Sequence, residues 1–351
     1  MRYGYQRDSK SMTGDKACLV TGGAGFIGRH LVTQLVADGY RVRVLDIATS
    51  GQFEQGVEFV HGCITDSDCV RTALSGIDVL YHVAGNPNLW LPDKSHFGLI
   101  NCHGTDVVLR EAARFDLERI VFTSTESILI GKKPEPGSVI DESVQRKLQD
   151  MPGPYCRSKF RAESIALKAA DRGQPVVIVN PTLPIGPGDL SVTPPTRMLL
   201  GFLNGKHPAF LECLLNMNDV RDIARGHILA AEKGRIGERY ILGNENIHLS
   251  SLLKLLGDLS GLPMPQRKVP YWLAYLTACV DETVSDWVTG KPPRAPLTGV
   301  RLACTEATLD SSKAATELGM PQRPIAESLG DAVRWLKDVG YTRRPMPKFI
   351  A

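Results

Sequence analysis

From residue 16 onward, short apolar runs rich in β-branched residues alternate with longer segments whose apolar positions recur at helical spacing. "KACLVTG" reads as a first strand and "FIGRHLVTQLVADGY" (26–40) as a helix closed at Gly39. "RVRVLD" (41–46), "VEFVHG" (57–62), "IDVLYHVAG" (77–85), "RIVFTST" (119–125) and "PVVIVNP" (175–181) read as further strands. Helices are expected at 66–76, with Asp66 as N-cap, at about 95–115 and at 155–173. Such alternation predicts an α/β fold: a Rossmann-type, doubly wound parallel sheet. Strands that are apolar almost throughout fit burial on both faces.

After residue 181 the pattern changes. "NPTLPIGPGDLSVTPPT" (180–196) reads as loop, while "NDVRDIARGHILAAEKG" (218–234) and "GERYILG" (237–243) resume the helix–strand order. The rest predicts a smaller, mainly helical C-terminal region. The expected organisation is a flexible tail at 1–14, a dinucleotide-binding domain from 15–180 and 217–243, and a substrate-binding region from 181–216 and 244–345.

Composition narrows this only a little. A net charge of +3, with both signs dispersed and no long basic run, gives no case for nucleic acid. The eight cysteines include no CxxC pair and read as reduced thiols of a cytoplasmic protein. The histidines form no HxxxH pair, so no metal site is expected, and no GxSxG elbow supports hydrolase chemistry. "WLAYLTACV" (272–280) is too short to span a bilayer, yet it suits peripheral contact with a membrane or with a greasy substrate.

"TGGAGFIG" puts Gly22, Gly25 and Gly28 between the first strand and the first helix. A turn there needs positive φ, close approach to a pyrophosphate and tight helix–strand packing. The helix N-terminus then offers free N–H groups to phosphates. Asp46 ends the second strand, where a carboxylate accepts hydrogen bonds from ribose hydroxyls and repels a 2′-phosphate. NAD is therefore favoured over NADP.

Tyr155 and Lys159 share one helix face at i and i+4. An ammonium near a phenol lowers its pKa and equips it to exchange a proton with an alcohol or ketone. A hydroxyl at the end of the fifth strand, Thr125 or its neighbour Ser124, would orient the substrate oxygen.

Together "TGGAGFIG", "YHVAG" (81–85), "NCHGT" (101–105), "FTST", "YCRSK" and "NPTLPIGPGD" resemble the extended short-chain dehydrogenase/reductase family, also called the NAD-dependent epimerase/dehydratase family, from 16 to about 340. The resemblance implies a catalytic triad of Thr125, Tyr155 and Lys159, with Lys159 also binding the nicotinamide ribose. It implies cofactor contacts at Gly22, Gly25, Phe26, Ile27, Gly28, Asp46, Ala84 and Lys159, and backbone contacts from 180–183, Pro181 and Leu183 among them. Many members carry Gly-Asp-Ile after the third strand; this chain has "GCITD", which leaves adenine contact to Cys63 and Ile64. A homodimer through helices at about 95–115 and 155–172 is also implied. "LWLPD", "YCRSKFRAE", "VNPTLPIGPGD" and "GRIGERYILG" are most similar to the hopanoid-associated sugar epimerase-like group, a neighbour of the dihydroflavonol reductase and 3β-hydroxysteroid dehydrogenase groups.

Three reactions share such a site. Nucleotide-sugar epimerases clamp a diphosphate with arginines, but "FLECLLNMNDVRD" (210–222) is apolar where one is expected, leaving Arg197, Arg301 or other arginines as substitutes. The 4,6-dehydratases need an Asp-Glu pair after the catalytic Thr. Here Glu126 and Ser127 follow, with Glu126 either the surviving acid or a solvated loop residue. The apolar stretches "MLLGFLNGKHPAFLECLLNM" (198–217) and "YWLAYLTACV" (271–280) suit a greasy ligand or a core. The expectation is an NAD-dependent oxidoreductase interconverting a secondary alcohol and a ketone on an apolar sterol-, isoprenoid- or flavonoid-like small molecule. The alternative is an NAD-dependent nucleotide-sugar epimerase.

Overall fold

The computed structural model describes residues 16–346 except 50–52, 54, 133, 136, 304 and 305. The tail expected at 1–14 lies outside the described residues. In chain order the first half runs β1 (Ala17–Thr21), α1 (Phe26–Ala37), β2 (Arg41–Asp46), β3 (Glu58–His61), α2 (Ser67–Leu74), β4 (Val79–His82), α3 (Ser95–Phe97), α4 (Thr105–Ala112), β5 (Arg119–Thr123), α5 (Ser127–Ile130), β6 (Val139–Ile140) and α6 (Pro154–Asp171). The second half runs β7 (Val176–Pro181), β8 (Leu183–Ile185), α7 (Pro194–Leu203), β9 (Leu214–Asp219), α8 (Val220–Lys233), β10 (Arg239–Leu242), β11 (Glu245–His248), α9 (Leu249–Ser260), α10 (Tyr271–Val284), α11 (Leu297–Leu302), β12 (Thr308–Leu309) and α12 (Ile325–Asp338).

Seven strands form one sheet in the order β10-β7-β5-β4-β1-β2-β3, every pair parallel. Strand alternation sends successive side chains to opposite faces. Val20, Val44, Tyr81, Val121 and Val179 pack on one side under α1 and α8, with Ile223 and Ile228. Leu19, Leu45, Leu80, Phe122 and Ile178 pack on the other with Val70, Val107 and Ala162 of α2, α4 and α6. Chain order reverses at β1, which lies between β2 and β4. A crevice at that reversal, outside the carboxyl ends of the strands, is where open α/β sheets bind ligands.

A second core gathers Leu199, Phe202 and Leu203 of α7 with Leu252, Leu256, Leu329 and Val333. It surrounds a small sheet in which β9 pairs parallel with β8 and antiparallel with β11. One sequence expectation changes here and one is narrowed. The segment read as loop contains the strand Leu183–Ile185. In the apolar stretch 198–217, read as suiting a greasy ligand or a core, Leu199, Phe202, Leu203, Phe210, Cys213 and Met217 are buried in this second core.

Candidate active site

The glycine loop leaves the tip of β1 with Gly22 at φ +73°, a conformation that favours glycine. A Cβ on Gly22 would stand 2.7 Å from the Ala84 backbone, and one on Gly28 would stand 2.2 Å from Gly22 O. Gly25 caps α1 and donates its N–H to Gly22 O at 3.1 Å. The helix has no side-chain cap and no acid in its first turn, so the N–H groups of Phe26, Ile27 and Gly28 face the crevice unopposed by negative charge. Phe26 is buried against His30. The Asp46 carboxylate, at the tip of β2, accepts from Ala24 N (2.9 Å) and Ala48 N (3.0 Å), which ties the loop to the neighbouring strand. Cys63, half-buried beside Thr65, and buried Ile64 follow β3. Ala84 follows β4 and donates its N–H to Thr21 Oγ1. These tight backbone approaches, the bare helix start and the strand-tip carboxylate fit a dinucleotide.

Along the same carboxyl edge, β5 runs into Ser124 and Thr125. Thr125 Oγ1 donates to Glu126 Oε2 at 2.9 Å and lies 3.0 Å from Ser127 Oγ. Ser124 Oγ is buried without a hydrogen-bond partner among the described residues. Glu126 N donates to Pro181 O, and Asn180 Nδ2 donates to Thr125 O, so the tips of β5 and β7 are joined. Leu183, half-buried, opens β8 just beyond Pro181.

The helix α6 begins at Gly153 and Pro154, a favoured opening because proline needs no N–H there. Its buried face carries Lys159, Ala162, Glu163, Ala166 and Ala169, and the alanines let it lie close on the sheet. Tyr155 and Lys159 therefore share the turns that overhang the strand tips. The Lys159 ammonium donates to Thr123 O at 2.7 Å and sits 5.0 Å from the centre of the Phe122 ring. A Cβ on Gly85 would come within 3.9 Å of it. Burial lowers the Lys159 pKa to about 8, against an opposing pull from Glu163. Glu163 is itself held by Asn180 Nδ2 (2.9 Å) and Arg239 Nε (2.7 Å).

Two electrostatic expectations are corrected. Burial pushes the Tyr155 phenol above its ordinary range, and the Glu126 carboxylate adds to that; only the Thr125 hydroxyl opposes. The Lys159 ammonium donates to the Thr123 carbonyl. Nor is Glu126 a solvated loop residue: burial raises its carboxyl to about 7, despite the hydrogen bond from Thr125.

Sequence reasoning passed over Asn101. It is buried in a π-helical turn, Gly98–Gly104, that precedes α4. Its Oδ1 accepts from Asn86 N (2.7 Å), and its Nδ2 donates to Ser158 Oγ (2.9 Å) and Asn86 O (3.2 Å). The motif "NCHGT" contained the signal, since a buried amide inside an apolar helix needs several partners. The two arginines named for a diphosphate clamp differ in their surroundings, Arg301 half-buried and Arg197 exposed. Arg301 donates to Pro152 O and the Tyr275 hydroxyl, and Arg197 donates to Val192 O. A separate groove, lined by Arg110, Asp116, Ile165, Arg172 and Gln174, lies at the opposite, amino edge of the sheet and holds none of this chemistry.

The model of the NAD dependent epimerase/dehydratase family matches residues 18–243. A "Putative dihydroflavonol 4-reductase" of Synechocystis sp. is 41% identical over 92% of this chain and 95% of its own. "Sterol demethylase protein B" of Methylococcus capsulatus is 30% identical over 92% and 98%. A "4-hydroxy-2-methyl-3-oxo-4-farnesyl-3,4-dihydroquinoline-1-oxide ketoreductase" of Stigmatella aurantiaca is 30% identical over 93% and 98%. Among solved structures, that of gox2253 superposes with a TM-score of 0.81 at 33% identity, over 93% of this chain and 100% of the other. DesIV, a dTDP-glucose 4,6-dehydratase from Streptomyces venezuelae with NAD and TYD bound, reaches 0.72 at 26% identity over 92% and 97%.

Proposed function

This chain belongs to the NAD-dependent epimerase/dehydratase family, and from that premise we propose that it interconverts a secondary alcohol and a ketone on an apolar, isoprenoid- or polycyclic-type substrate. It is an NAD-dependent enzyme of the extended short-chain dehydrogenase/reductase kind. NAD, when bound, accepts or supplies the hydride at its nicotinamide ring. Tyr155 takes the hydroxyl proton in oxidation and returns it in reduction. Thr125 Oγ1 holds the substrate oxygen toward the phenol, and Lys159 Nζ, fixed on the Thr123 carbonyl, binds the nicotinamide ribose. Gly22, Gly25, Phe26, Ile27 and Gly28 hold the pyrophosphate, Asp46 the adenosine ribose, Cys63 and Ile64 the adenine, and Ala84, Pro181 and Leu183 the nicotinamide half. Residues 15–180 and 217–243 form the cofactor-holding part, and 181–216 with 244–345 the substrate-holding part.

The carrying observation is the convergence of Thr125, Tyr155 and Lys159 at the carboxyl edge of the sheet, beside a loop that fits a dinucleotide. Relatives named a dihydroflavonol reductase and a farnesyl-quinoline ketoreductase support a ketone substrate with an apolar body. The apolar run before the β9–α8 junction, where a diphosphate-clamping arginine is expected, weighs against recognition of a sugar nucleotide. Tyr155→Phe tests the reading. It should lower ketone reduction by about two to four orders of magnitude, the usual worth of general acid–base catalysis, and leave NAD affinity unchanged in calorimetric titration. Full activity in that variant would refute the assignment. We extend the proposal to a homodimer across the outer faces of α4 and α6, where Leu99 is exposed nearby; sedimentation at a single-chain mass would contradict it.

A further inference from the structure

The helix α10 and the π turn that continues it, Ser285–Thr289, are built inside out for a water-facing helix. Trp272, Leu273, Leu276, Val280, Val284, Trp287 and Val288 share one face and are all exposed, Trp272 to 66% and Trp287 to 85%. Only Ala278 of α10 and Ser285 of the turn are buried. The carboxylates of the segment are turned the other way. Asp281 accepts from Arg294 N (2.6 Å) and Glu282 from Leu297 N (2.8 Å), while Asp286 accepts from Trp90 Nε1 (2.7 Å) and pairs with Lys94. The cations face outward. Arg267 precedes the helix, and Lys291 and Arg294 follow it; all three are exposed and form no ion pair among the described residues. No helix of the described residues is long and apolar enough to cross a membrane.

We propose that Tyr271–Thr289 docks on an anionic lipid surface, with the two tryptophans set at headgroup level and Arg267, Lys291 and Arg294 on lipid phosphates. A helix with an apolar, Trp-bearing face and flanking cations lies in the plane of such an interface. Charge favours this occupant over a second copy of the chain. A twofold contact through one helix would set the cationic ends of the two stripes against each other.

The position of the segment gives the contact a use. The Trp90–Asp286 hydrogen bond joins it to the stretch carrying Phe97, whose ring lies 6.3 Å from that of Tyr155. A Cβ on Gly153, at the start of α6, would overlap Thr298 of α11. Arg301 of the same helix holds Pro152 O. The docked segment thus touches the Trp90–Phe97 stretch directly and the start of α6 through α11, whose Arg301 also donates to the Tyr275 hydroxyl, so we extend the proposal to entry of an apolar substrate toward Tyr155 from the lipid side. This last step rests on the apolar-substrate reading above.

The test is co-sedimentation of the full chain with phosphatidylcholine vesicles carrying one-quarter phosphatidylglycerol, and with pure phosphatidylcholine. Binding to the anionic vesicles is expected, with quenching of tryptophan fluorescence by brominated lipid and weakening at high salt. The paired changes Trp272→Ser/Trp287→Ser and, separately, Lys291→Glu/Arg294→Glu should each cut partitioning roughly tenfold or more. Both pairs are at the surface, so thermal melting in buffer should match the parent. Absence of binding to anionic vesicles would overturn the proposal. So would loss of a dimer in the tryptophan variant with no vesicle binding by the parent, the sign of a second copy on this face. Vesicle binding needs no turnover. Failure there with ketone reduction intact in detergent would sink the membrane contact alone. Binding without any ketone reduction would sink the apolar-substrate reading alone.

Discussion

Thr125 hydrogen-bonds the Glu126 carboxylate, and that carboxylate, the nearby Tyr155 phenol and the buried Lys159 ammonium together set the pH behaviour of the site. Glu126 carries a carboxyl raised to about 7 from 4.5. Below about 4.5 it is neutral whether the chain is folded or not. As pH rises toward 7 the unfolded chain ionises first, so folding stability falls, and the loss is complete above 7. Glu126→Gln keeps an acceptor for Thr125 and never ionises. Its melting temperature should equal the parent's near pH 4.5 and exceed it by a few degrees above pH 7, at ~2–4 °C per kcal/mol. The ionised Glu126 also pushes the Tyr155 phenol upward. The same variant should therefore shift the alkaline rise of alcohol oxidation toward lower pH, and an unmoved profile would mean that the two groups do not communicate. Lys159 titrates in the opposite sense. Its pKa is lowered to about 8, so the cost of burying the ammonium is full below 8 and is relieved as pH rises toward 10.5. None of this was legible from residue spacing. The i, i+4 rule placed the phenol and the ammonium on one face, but it could not say that the ammonium would turn to Thr123 O. Nor could it say that a glutamate one position past the threonine would be half-buried.

Elements were legible where one period dominated. "RVRVLD" is β2, residue for residue, and Asp66 caps α2 through Asp68 N and Cys69 N as its residue type suggests. Legibility failed where the segments were short and enclosed. Leu183–Ile185 carries Pro184 and sits among Pro and Gly, so it read as loop. Yet it pairs with β9 at the margin of a three-stranded sheet, where proline is tolerated. Leu214–Asp219 was not legible as a strand because its buried positions include Asn216, Asn218 and Asp219, which break the apolar pattern that marks a strand. Two variants test the element scale. Gly28→Ala would place a methyl 2.2 Å from Gly22 O. Calorimetry should show NAD affinity down roughly 10- to 100-fold, the scale of losing a buried polar contact. Ala166→Leu, on the close-packed face of α6, should lower stability by about 1–3 kcal/mol in urea unfolding, and should lower activity to the extent that Tyr155 and Lys159 are displaced.

For the molecule as a whole, the sheet supplies a rigid edge on which the dinucleotide loop and the Thr125–Tyr155–Lys159 group lie side by side. The C-terminal helices close that edge from the other side and present a lipid-facing stripe. The parallel sheet and its glycine loop were visible in the sequence because they are local repeats of one pattern. The outward face of α10 was visible only as an apolar run, since burial and exposure look alike in one dimension. Net redox chemistry at Tyr155 is the central claim. Its most direct test follows the near-ultraviolet absorbance of NADH when the purified chain meets a panel of isoprenoid and polycyclic ketones, with nucleotide sugars alongside. The prediction is that NADH is consumed one-for-one with the alcohol formed, and that Tyr155→Phe abolishes the change. Isomerisation of a nucleotide sugar with no net change in NADH, and no ketone reduced, would contradict it.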